Sequence, residues 1–433
     1  MCDFGFETKR NSNDPTLHKM KNDKRIRIGI IGAGPAGLTA AETLRDKGYS
    51  DVTLLEKQNH SGGKCRSFRH AGFSYELGAG IVSGNNHTVL NLVDKYGIKT
   101  ERTETSSVMI MDSKTGKPLN PPGWMEKLAL IYQLVFKYRK LVSRFRAIAE
   151  PGWSKIDREL CVPFSQWADK KGIDLITKEL AKYFTGFGYG YFDEIPAAYV
   201  LKYYSLETSN AFLHKAIYKF PDGIQGLWNT VAKTHRILYD TTIKQIERDK
   251  TVTITTDAER LRFDALIITS PLDEALNFLD ASSEETSLFS KIIYYDYRDY
   301  ACTVTGFPKI TGFIPGNFVS ARSGYPVFWY KRYPDDDYYT FYVICDWKIS
   351  DDEVKKNIQQ IVRPLGGKVT RFEEAVRWKY FPHVSPEEMR DGYFDKLENL
   401  QGKNRTFYAG ELPNFSTVDQ SASYAKKLVE RFF

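Results

Sequence analysis

Short apolar runs and one helix-forming stretch alternate near the start of the chain, in an order typical of parallel α/β structure. Ile28–Ile31 is apolar and β-branched, Ala36–Leu44 favours a helix, and Val52–Leu55 is apolar again. Apolar strands on both sides of a helical stretch predict buried, parallel strands. The pattern therefore predicts a βαβ unit, and the fold class that we expect is α/β.

A second group of apolar runs lies between about residues 291 and 346. These runs are short and rich in Tyr, Phe, Val and Ile, and YYTFYVIC at Tyr338–Cys345 is one of them. Aromatic and β-branched residues favour strands. We therefore expect a second sheet in this part of the chain.

A basic amphipathic pattern occupies the region between these groups. Its apolar residues recur at helical spacing, and lysines and arginines lie between them. A helix packed on its own domain is the simpler interpretation, and transient docking on a membrane surface is the alternative. The apolar positions are Leu128, Ile131, Leu134, Val135, Tyr138, Leu141, Val142 and Phe145, and the basic positions are Lys137, Arg139, Lys140, Arg144 and Arg146.

Composition removes several classes of function. The net charge of +7 is mild for 433 residues, so nucleic acid is not an expected partner, and no protein partner is evident. The five cysteines are scattered without a C-x-x-C pair, which argues against a zinc ribbon, and no metal site is predicted. Residues 1–25 are polar, so we expect a disordered tail and a cytoplasmic protein.

The loop between the first strand and the helix has the glycine spacing of a dinucleotide-binding motif. Gly32 permits a tight turn, Gly34 lets the backbone approach a pyrophosphate, and Gly37 brings helix and strand together. Glu56 follows the second strand, where a carboxylate accepts hydrogen bonds from ribose hydroxyls and repels a 2′-phosphate. We therefore expect a dinucleotide other than NADP.

A second glycine motif, HSGGKCRSF, follows this acid directly. Gly62 and Gly63 allow another approach of backbone to the pyrophosphate, and Lys64 or Arg66 could neutralise it. An ordinary glycine turn with surface cations is the alternative. The run YELGAG, at Tyr75–Gly80, then supplies small residues against which a flat ring could lie.

In this order the motifs resemble the two-glycine-motif flavoproteins, which include amine oxidases, protoporphyrinogen oxidase and phytoene desaturases. The run Ile237–Ile246 is similar to the strand whose apolar residue, here Ile243, packs near adenine. Leu266–Pro271 resembles the strand that returns beneath the nucleotide. FYAGEL resembles the segment that places an acid, here Glu411, on the ribityl chain, before a closing helix from about Thr417.

This resemblance implies FAD as the cofactor and a Rossmann-like FAD-binding domain beside a discontinuous α+β substrate domain. We assign residues 26–95, 215–290 and 395–433 to the first, and residues 96–214 and 291–394 to the substrate-binding and cap domain. The residues that the resemblance assigns to FAD are Gly32, Gly34, Pro35, Ala36, Gly37, Glu56, Lys57, Gly63, Lys64, Gly78, Ala79, Ile243, Gly410, Glu411 and Val418.

A closer resemblance is carried by FTGFGYGYFDEIPAAYVLKYY at Phe184–Tyr204. This run, with SKII at Ser290–Ile293, YFPHVS at Tyr380–Ser385 and TFYAGE ending at Glu411, is similar to the FAD-dependent polyunsaturated fatty acid isomerases. Those bacterial enzymes turn linoleate into a conjugated isomer. The likeness implies reversible hydride transfer from a lipid to FAD N5, with no net oxidation.

The implied substrate site is a narrow aromatic channel. The chain contains 27 Phe and 27 Tyr residues, whose bulk can shape a channel and whose π faces attract a cation. His383 could reach the flavin or serve as a structural histidine. The candidates for the channel wall are Phe187, Tyr189, Tyr191, Phe212, Tyr380 and Phe381, and each of them could instead be ordinary core packing.

One region departs from the isomerase pattern. The family holds the fatty-acid carboxylate with an arginine in the region corresponding to Thr103–Ile110, where this chain has Ser106 and Ser107. Arg102 lies just before and could take that role, or the serines could hydrogen-bond a different head group. The resemblance therefore predicts the reaction type without identifying the head group.

Two alternatives remain open at this stage. An oxygen-using amine oxidase or a desaturase would share the fold and the cofactor motifs. A prenyl-Rab escort-like binding protein would share the architecture without needing a flavin, although the set that includes Gly32, Glu56 and Lys64 argues against it.

Overall fold

The computed structural model describes residues 20–102, 108–153, 155–208 and 216–433. The α-helices are α1 (Pro35–Asp46), α2 (His87–Lys95), α3 (Trp124–Tyr132), α4 (Arg139–Arg144), α5 (Phe164–Lys171), α6 (Asp174–Phe184), α7 (Ala197–Tyr203), α8 (Ile224–Ala232), α9 (Leu272–Ala275), α10 (Ser283–Phe289), α11 (Asp351–Val362), α12 (Pro386–Arg390), α13 (Tyr393–Glu398) and α14 (Val418–Phe432). The strands are β1 (Ile28–Ile31), β2 (Val52–Leu55), β3 (Ser67–His70), β4 (Phe73–Glu76), β5 (Val82–Ser83), β6 (Glu101–Arg102), β7 (Met109–Ile110), β8 (Ile217–Lys219), β9 (Arg236–Leu238), β10 (Ile243–Arg248), β11 (Val252–Thr256), β12 (Arg260–Phe263), β13 (Ala265–Ile268), β14 (Ile293–Thr305), β15 (Gly312–Phe313), β16 (Pro326–Tyr330), β17 (Tyr338–Cys345), β18 (Lys368–His383) and β19 (Thr406–Tyr408).

A five-stranded parallel sheet has β1 at its centre, in the order β19-β13-β1-β2-β9. Ile30 lies opposite Leu54 of β2 and Ile267 of β13. Ile30 and Ile31 enter two different apolar clusters, so both faces of the sheet are covered, as parallel sheets require. The predicted strand–helix–strand unit is confirmed as β1, α1 and β2.

The run Ile237–Ile246 is not one strand, and that part of the prediction is wrong. β9 ends at Leu238 and pairs in parallel with β2, whereas β10 begins at Ile243 and pairs antiparallel with β11. Between them the amides of Asp240 and Thr241 donate to backbone carbonyls just after β2. These bonds turn the chain away from the parallel sheet.

Helix α14 closes one face of this sheet by packing against α1. Ala425 and Leu428 of α14 share an apolar cluster with Ala40 and Leu44 of α1. Thr417 caps α14 by accepting a hydrogen bond from the Gln420 amide at 3.1 Å. The closing helix therefore begins where the sequence predicted it.

A second sheet contains six strands in the order β18-β14-β17-β16-β15-β7. β14 pairs antiparallel with both β17 and β18, and Tyr338–Cys345 forms β17 as predicted. Side chains alternate between two clusters, so Tyr297 points to the larger core while Tyr300 packs toward α11. The sheet face that carries Tyr297 contributes to the candidate functional site.

The three sequence segments assigned to the FAD-binding domain all contribute to the parallel sheet, through β1 and β2, through β9 and β13, and through β19. A small sheet of order β5-β8-β6 joins residues from both assigned domains. The boundaries themselves stay a prediction.

The predicted disordered tail differs from the structure over residues 20–25. The Met20 side chain is buried, and the Tyr49 hydroxyl donates to the Met20 carbonyl at 2.5 Å. Lys24 Nζ donates to the Phe433 carbonyl at 3.2 Å, which ties this end of the chain to the C-terminal helix. The rest of the predicted tail lies outside the described residues.

The amphipathic pattern forms a helical arm made of α3, a π-helical turn at Gln133–Tyr138, and α4. Tyr138, Val142 and Phe145 are buried, as a packed helix predicts. Leu128 and Ile131 are exposed instead, so the first half of the arm does not follow that interpretation. Within the described ranges, no helix combines the length and apolar character needed to cross a membrane.

Candidate functional site

The two glycine motifs meet at the N-terminus of α1. A Cβ atom built on Gly37 would lie 2.0 Å from the Gly32 carbonyl oxygen, so this contact between helix and strand requires glycine. A Cβ built on Gly63 would lie 3.2 Å from the Cα of Gly34. Pro35 and Ala36 open the helix, and no described side chain caps its N-terminus. The amides at this end are thus available to a phosphate group.

Glu56 lies beside this loop, at the end of β2. Its Oε2 accepts a hydrogen bond from the Ala33 amide at 2.7 Å, and its Oε1 accepts one from the Gln58 amide at 2.9 Å. Lys57 points outward and lies 3.5 Å from Glu274. Ile243 is partly buried at the start of β10. The predicted adenosine residues therefore include a carboxylate held in place by backbone amides.

Lys64 and Glu411 come together from opposite ends of the chain. Lys64 Nζ lies 2.7 Å from Glu411 Oε1, and both side chains are about three-quarters buried. The second carboxylate oxygen, Oε2, is buried without a hydrogen-bond partner among the described residues. Lys64 Nζ also lies 5.2 Å from the centre of the Tyr380 ring. Arg66 is committed elsewhere, because it pairs with Glu374 at 3.1 Å.

The backbone at Leu77–Ala79 forms a second cradle next to Lys64. A Cβ atom on Gly78 would lie 2.1 Å from the Lys64 carbonyl oxygen, and the Ala79 amide donates to that oxygen at 3.1 Å. Gly410 makes a comparable approach to the Thr269 carbonyl, with a built Cβ 3.1 Å away. A side chain at Gly78 or Gly410 would therefore crowd these carbonyl oxygens.

These features fit FAD. The uncapped start of α1 and the Gly34–Gly63 contact suit a pyrophosphate, and the small residues at Gly78 and Ala79 suit a flat ring. The partnerless Glu411 oxygen is a buried acceptor that the hydroxyls of a ribityl chain could satisfy. Val418 is buried at the first position of α14.

Three of the predicted wall residues lie together around Tyr189 in the core that adjoins Lys64. The ring of Tyr189 stacks on Tyr380 at 5.9 Å and meets Phe381 at 5.6 Å and Phe415 at 5.0 Å. Phe187 joins this group indirectly, through a series of ring contacts that runs over Phe328, Tyr342 and Tyr297 to Tyr380. We call Tyr189, Tyr297, Tyr380, Phe381 and Phe415 the aromatic cluster.

The remaining predicted wall residues are Tyr191, which lies in the same core, and Phe212. Tyr191 packs against Tyr295 at 5.9 Å and reaches Phe381 through the rings of Tyr295 and His383. Its hydroxyl donates to the Ile344 carbonyl at 3.5 Å. Phe212, like Ser106 and Ser107, lies outside the described residues.

Two glycines hold the FGYGY segment against the second sheet. A Cβ atom on Gly188 would lie 2.8 Å from the Tyr297 ring, and one on Gly190 would lie 2.3 Å from the Tyr295 ring. The Tyr297 hydroxyl donates to the Gly186 carbonyl at 2.9 Å. Because this segment also carries Tyr189, the glycines set the position of the aromatic cluster.

His383 is buried and stacks on the ring of Phe381 at 5.2 Å. Burial lowers the pKa of His383 to about 4, so the ring is neutral, and Nδ1–H donates to the Phe381 carbonyl at 2.8 Å. Phe381 has a φ of +50°, a conformation that costs a non-glycine residue about 1–2 kcal/mol. The hydrogen bond from the histidine therefore supports the strained backbone at Phe381.

Sequence reasoning missed Asp299, the buried acid on the same sheet face. The Trp378 indole N–H lies 3.2 Å from Asp299 Oδ2 and 3.2 Å from the Leu77 carbonyl, which links the acid to the ring cradle. Asp299 Oδ1 is buried without a partner among the described residues. Burial raises the pKa of Asp299 to about 8. The sequence signal is limited to spacing, since Asp299 follows Tyr297 by two residues and Tyr295 by four, which places all three on one face of a strand.

The chain is similar to one known protein family and to several known proteins. The family model described as flavin containing amine oxidoreductase matches residues 35–419. The crystal structure of a CLA-producing fatty acid isomerase from P. acnes superposes with a TM-score of 0.89 at 32% identity, covering 95% of this chain and 99% of that one. Beta-cyclopiazonate dehydrogenase of Aspergillus flavus is 24% identical over 412 residues, covering 88% of this chain and 87% of its own.

A further similar protein carries FAD in its name. FAD-dependent oxidoreductase dpasF of Apiospora sacchari is 23% identical over 438 residues, covering 89% of this chain and 88% of its own. FAD is the cofactor of this chain, which agrees with the fit described above, and the protein is a flavoenzyme. Because the family match spans most of its length, the chain belongs to the flavin-containing amine oxidoreductase family.

Proposed function

We propose that this flavoenzyme isomerises a double bond of a polyunsaturated fatty acid, or of a related lipid, to give a conjugated isomer. The observation that carries the proposal is the aromatic cluster, which lies next to Lys64 and Glu411 in a chain that covers 99% of a CLA-producing isomerase at 32% identity. The apolar surface of this enclosure suits an alkyl chain.

The proposed reaction needs little acid–base catalysis by protein side chains. The CH₂ group between two double bonds loses a hydride with its electron pair, and the hydride returns to an end carbon of the resulting pentadienyl cation, so one double bond moves. Bound FAD supplies the reversible hydride acceptor. The aromatic faces of Tyr189, Tyr380 and Phe381 would stabilise the cation and keep water from it.

The residues predicted to hold FAD keep their roles in this proposal. Glu56 would accept hydrogen bonds from the ribose, and Gly34 and Gly63 would let backbone approach the pyrophosphate. Lys64 supplies positive charge nearby, and Glu411 Oε2 supplies the acceptor for the ribityl hydroxyls. The substrate domain, assigned to residues 96–214 and 291–394, would contribute the aromatic cluster.

Anaerobic incubation of the FAD-loaded protein with a panel of polyunsaturated fatty acids tests the proposal. We expect ultraviolet absorbance of a conjugated diene to grow without any added oxidant. A panel that gives no conjugated product would overturn the isomerase proposal.

An oxygen-using or acceptor-dependent oxidoreductase is the second candidate. The whole-length similarity to Beta-cyclopiazonate dehydrogenase favours it, since that protein is named for an oxidation. Such an enzyme must pass the two electrons on, so its turnover consumes oxygen or an added acceptor. Oxygen uptake that depends on an amine or an unsaturated compound, with no conjugated diene formed anaerobically, would select this candidate.

A further inference from the structure

The first half of the helical arm exposes an unusual number of large apolar side chains. The side chains of Trp124 and Phe136 are 71% and 65% exposed, and no residue of α3 is buried. We define the apolar face as Trp124, Met125, Leu128, Ile131, Tyr132 and Phe136, all of which are exposed. At about 100° per residue these positions fall on one side of the helix, within an arc of about 140°.

Polar contacts on the opposite side fix the rotation of the arm. The Gln133 side chain donates to Asp174 at 2.9 Å and accepts from the amides of Leu175 and Ile176 at 3.1 and 3.2 Å, which caps the start of α6. Lys137 Nζ donates to the Gly172 carbonyl at 2.8 Å. The arm cannot turn its apolar face inward without losing these bonds.

Basic residues accompany the apolar face along the same arm. Between Trp124 and Arg146 the sequence has six lysines and arginines and one acid, Glu126. Lys127, Arg139 and Lys140 are exposed, and none of them has an ion-pair partner in the part of the chain that the structure describes. A second copy of this chain would bring the same cations against one another, so self-association through this face is disfavoured.

We propose that the apolar face and its flanking cations dock the protein on an anionic lipid bilayer. Exposed Trp and Tyr with Leu, Ile and Met on one side and lysine and arginine beside them have the chemistry of an interfacial helix. The arm is too short and too charged to span, so it lies in the plane of the surface. Helix α6 runs from the Gln133 cap to Phe184, whose ring lies 5.5 Å from that of Tyr189, so one helix connects the arm to the aromatic cluster.

Vesicle co-sedimentation of the FAD-loaded full chain tests this surface without measuring activity, so the result is independent of the proposed reaction. We expect binding to vesicles of phosphatidylcholine with phosphatidylglycerol, and at least about tenfold weaker binding to phosphatidylcholine alone or at high salt. The double variant Leu128→Ser, Phe136→Ser should lose at least about tenfold in binding to the anionic vesicles.

The matched control is Phe73→Ser with Val319→Ser, which removes two similarly exposed apolar side chains at other places on the surface. This control should bind like the natural protein, and both double variants should keep the flavin absorbance spectrum as a check of folding. Equal binding by both double variants, or no binding of the natural protein to anionic vesicles, would overturn the proposal. A dimer in sedimentation that L128S/F136S abolishes, without vesicle binding, would assign the face to a second copy.

Discussion

Lys64 Nζ donates to Glu411 Oε1 at 2.7 Å, although 347 positions in sequence separate the two residues. The contact joins the second glycine motif to the segment that precedes α14. Both residues are predicted to hold FAD, and both lie in one partly buried place next to Tyr380. The pair therefore links the cofactor cradle to the aromatic cluster.

Replacing Lys64 should weaken FAD binding. Lys64→Met removes the positive charge assigned to FAD, and a hydrogen bond to a charged group contributes about 1.5–3 kcal/mol. We expect the dissociation constant of FAD to rise about ten- to hundredfold, measured by flavin fluorescence on titrating the apoprotein. The control is Arg69→Ala, which removes a surface pair with Asp222 and should leave the constant unchanged. Unaltered FAD affinity in K64M would contradict the assigned role.

Gly37→Ala should disrupt the start of α1. The new Cβ would lie 2.0 Å from the Gly32 carbonyl oxygen, so the helix must move away from β1. Such overpacking costs about 1–3 kcal/mol, and the displaced amides should no longer retain FAD. The change is measured as the flavin-to-protein ratio after purification and by urea unfolding.

Gly226→Ala in α8 is the matched control for Gly37. It also places alanine at a helical glycine, but a Cβ there meets no atom within 4 Å. It should gain about 0.5–1 kcal/mol in the free energy of unfolding and keep FAD. If G37A retained FAD as G226A does, close packing at Gly37 would not be what shapes the cradle.

Gly190→Ala should displace the aromatic cluster while FAD stays bound. Its φ is +92°, and the new Cβ would lie 2.3 Å from the Tyr295 ring, so the segment that carries Tyr189 must shift. We expect the rate of conjugated-diene formation to fall at least about tenfold, because misplacement by about 1 Å can cost much more. Flavin content reports FAD retention in the same samples.

A second glycine separates the effect of backbone strain from the effect of the Tyr295 contact. Gly72 has a similar φ of +85°, but open space surrounds the position of its Cβ. Gly72→Ala should therefore cost only about 1 kcal/mol of stability and leave the rate intact. Equal rates in G190A and G72A would show that the Tyr295 contact does not position the cluster.

Local motifs made the cofactor half of this site predictable from sequence, whereas tertiary pairing decides much of the rest. β1, α1 and β2 follow from glycine spacing and apolar runs, which act over a few residues. Asp299 escaped notice because its burial depends on β14 pairing with β18, which brings Trp378 beside it. In the same way, the helical spacing of apolar residues could not show which side of the arm packs against the protein and which side is exposed.

Asp299→Asn should change how stability depends on pH. Burial raises the pKa of Asp299 to about 8, whereas an unfolded aspartate titrates near pH 3.9. Between about pH 4 and pH 8 the unfolded chain thus loses a proton that the folded protein keeps, so this group lowers the free energy of unfolding as pH rises. Asparagine does not titrate, so D299N should lack a slope of about 1.4 kcal/mol per pH unit in that window.

Urea unfolding at pH 5, 6 and 7 measures this difference, since each of these values lies between the two pKa values of Asp299. The control Asp335→Asn changes an exposed acid and should keep the slope of the natural protein. Parallel pH profiles for D299N and the natural protein would mean that Asp299 is ionised when folded. In that case the acid beside the ring cradle carries a charge near the proposed cation, and the aromatic faces would not be its main electrostatic partner.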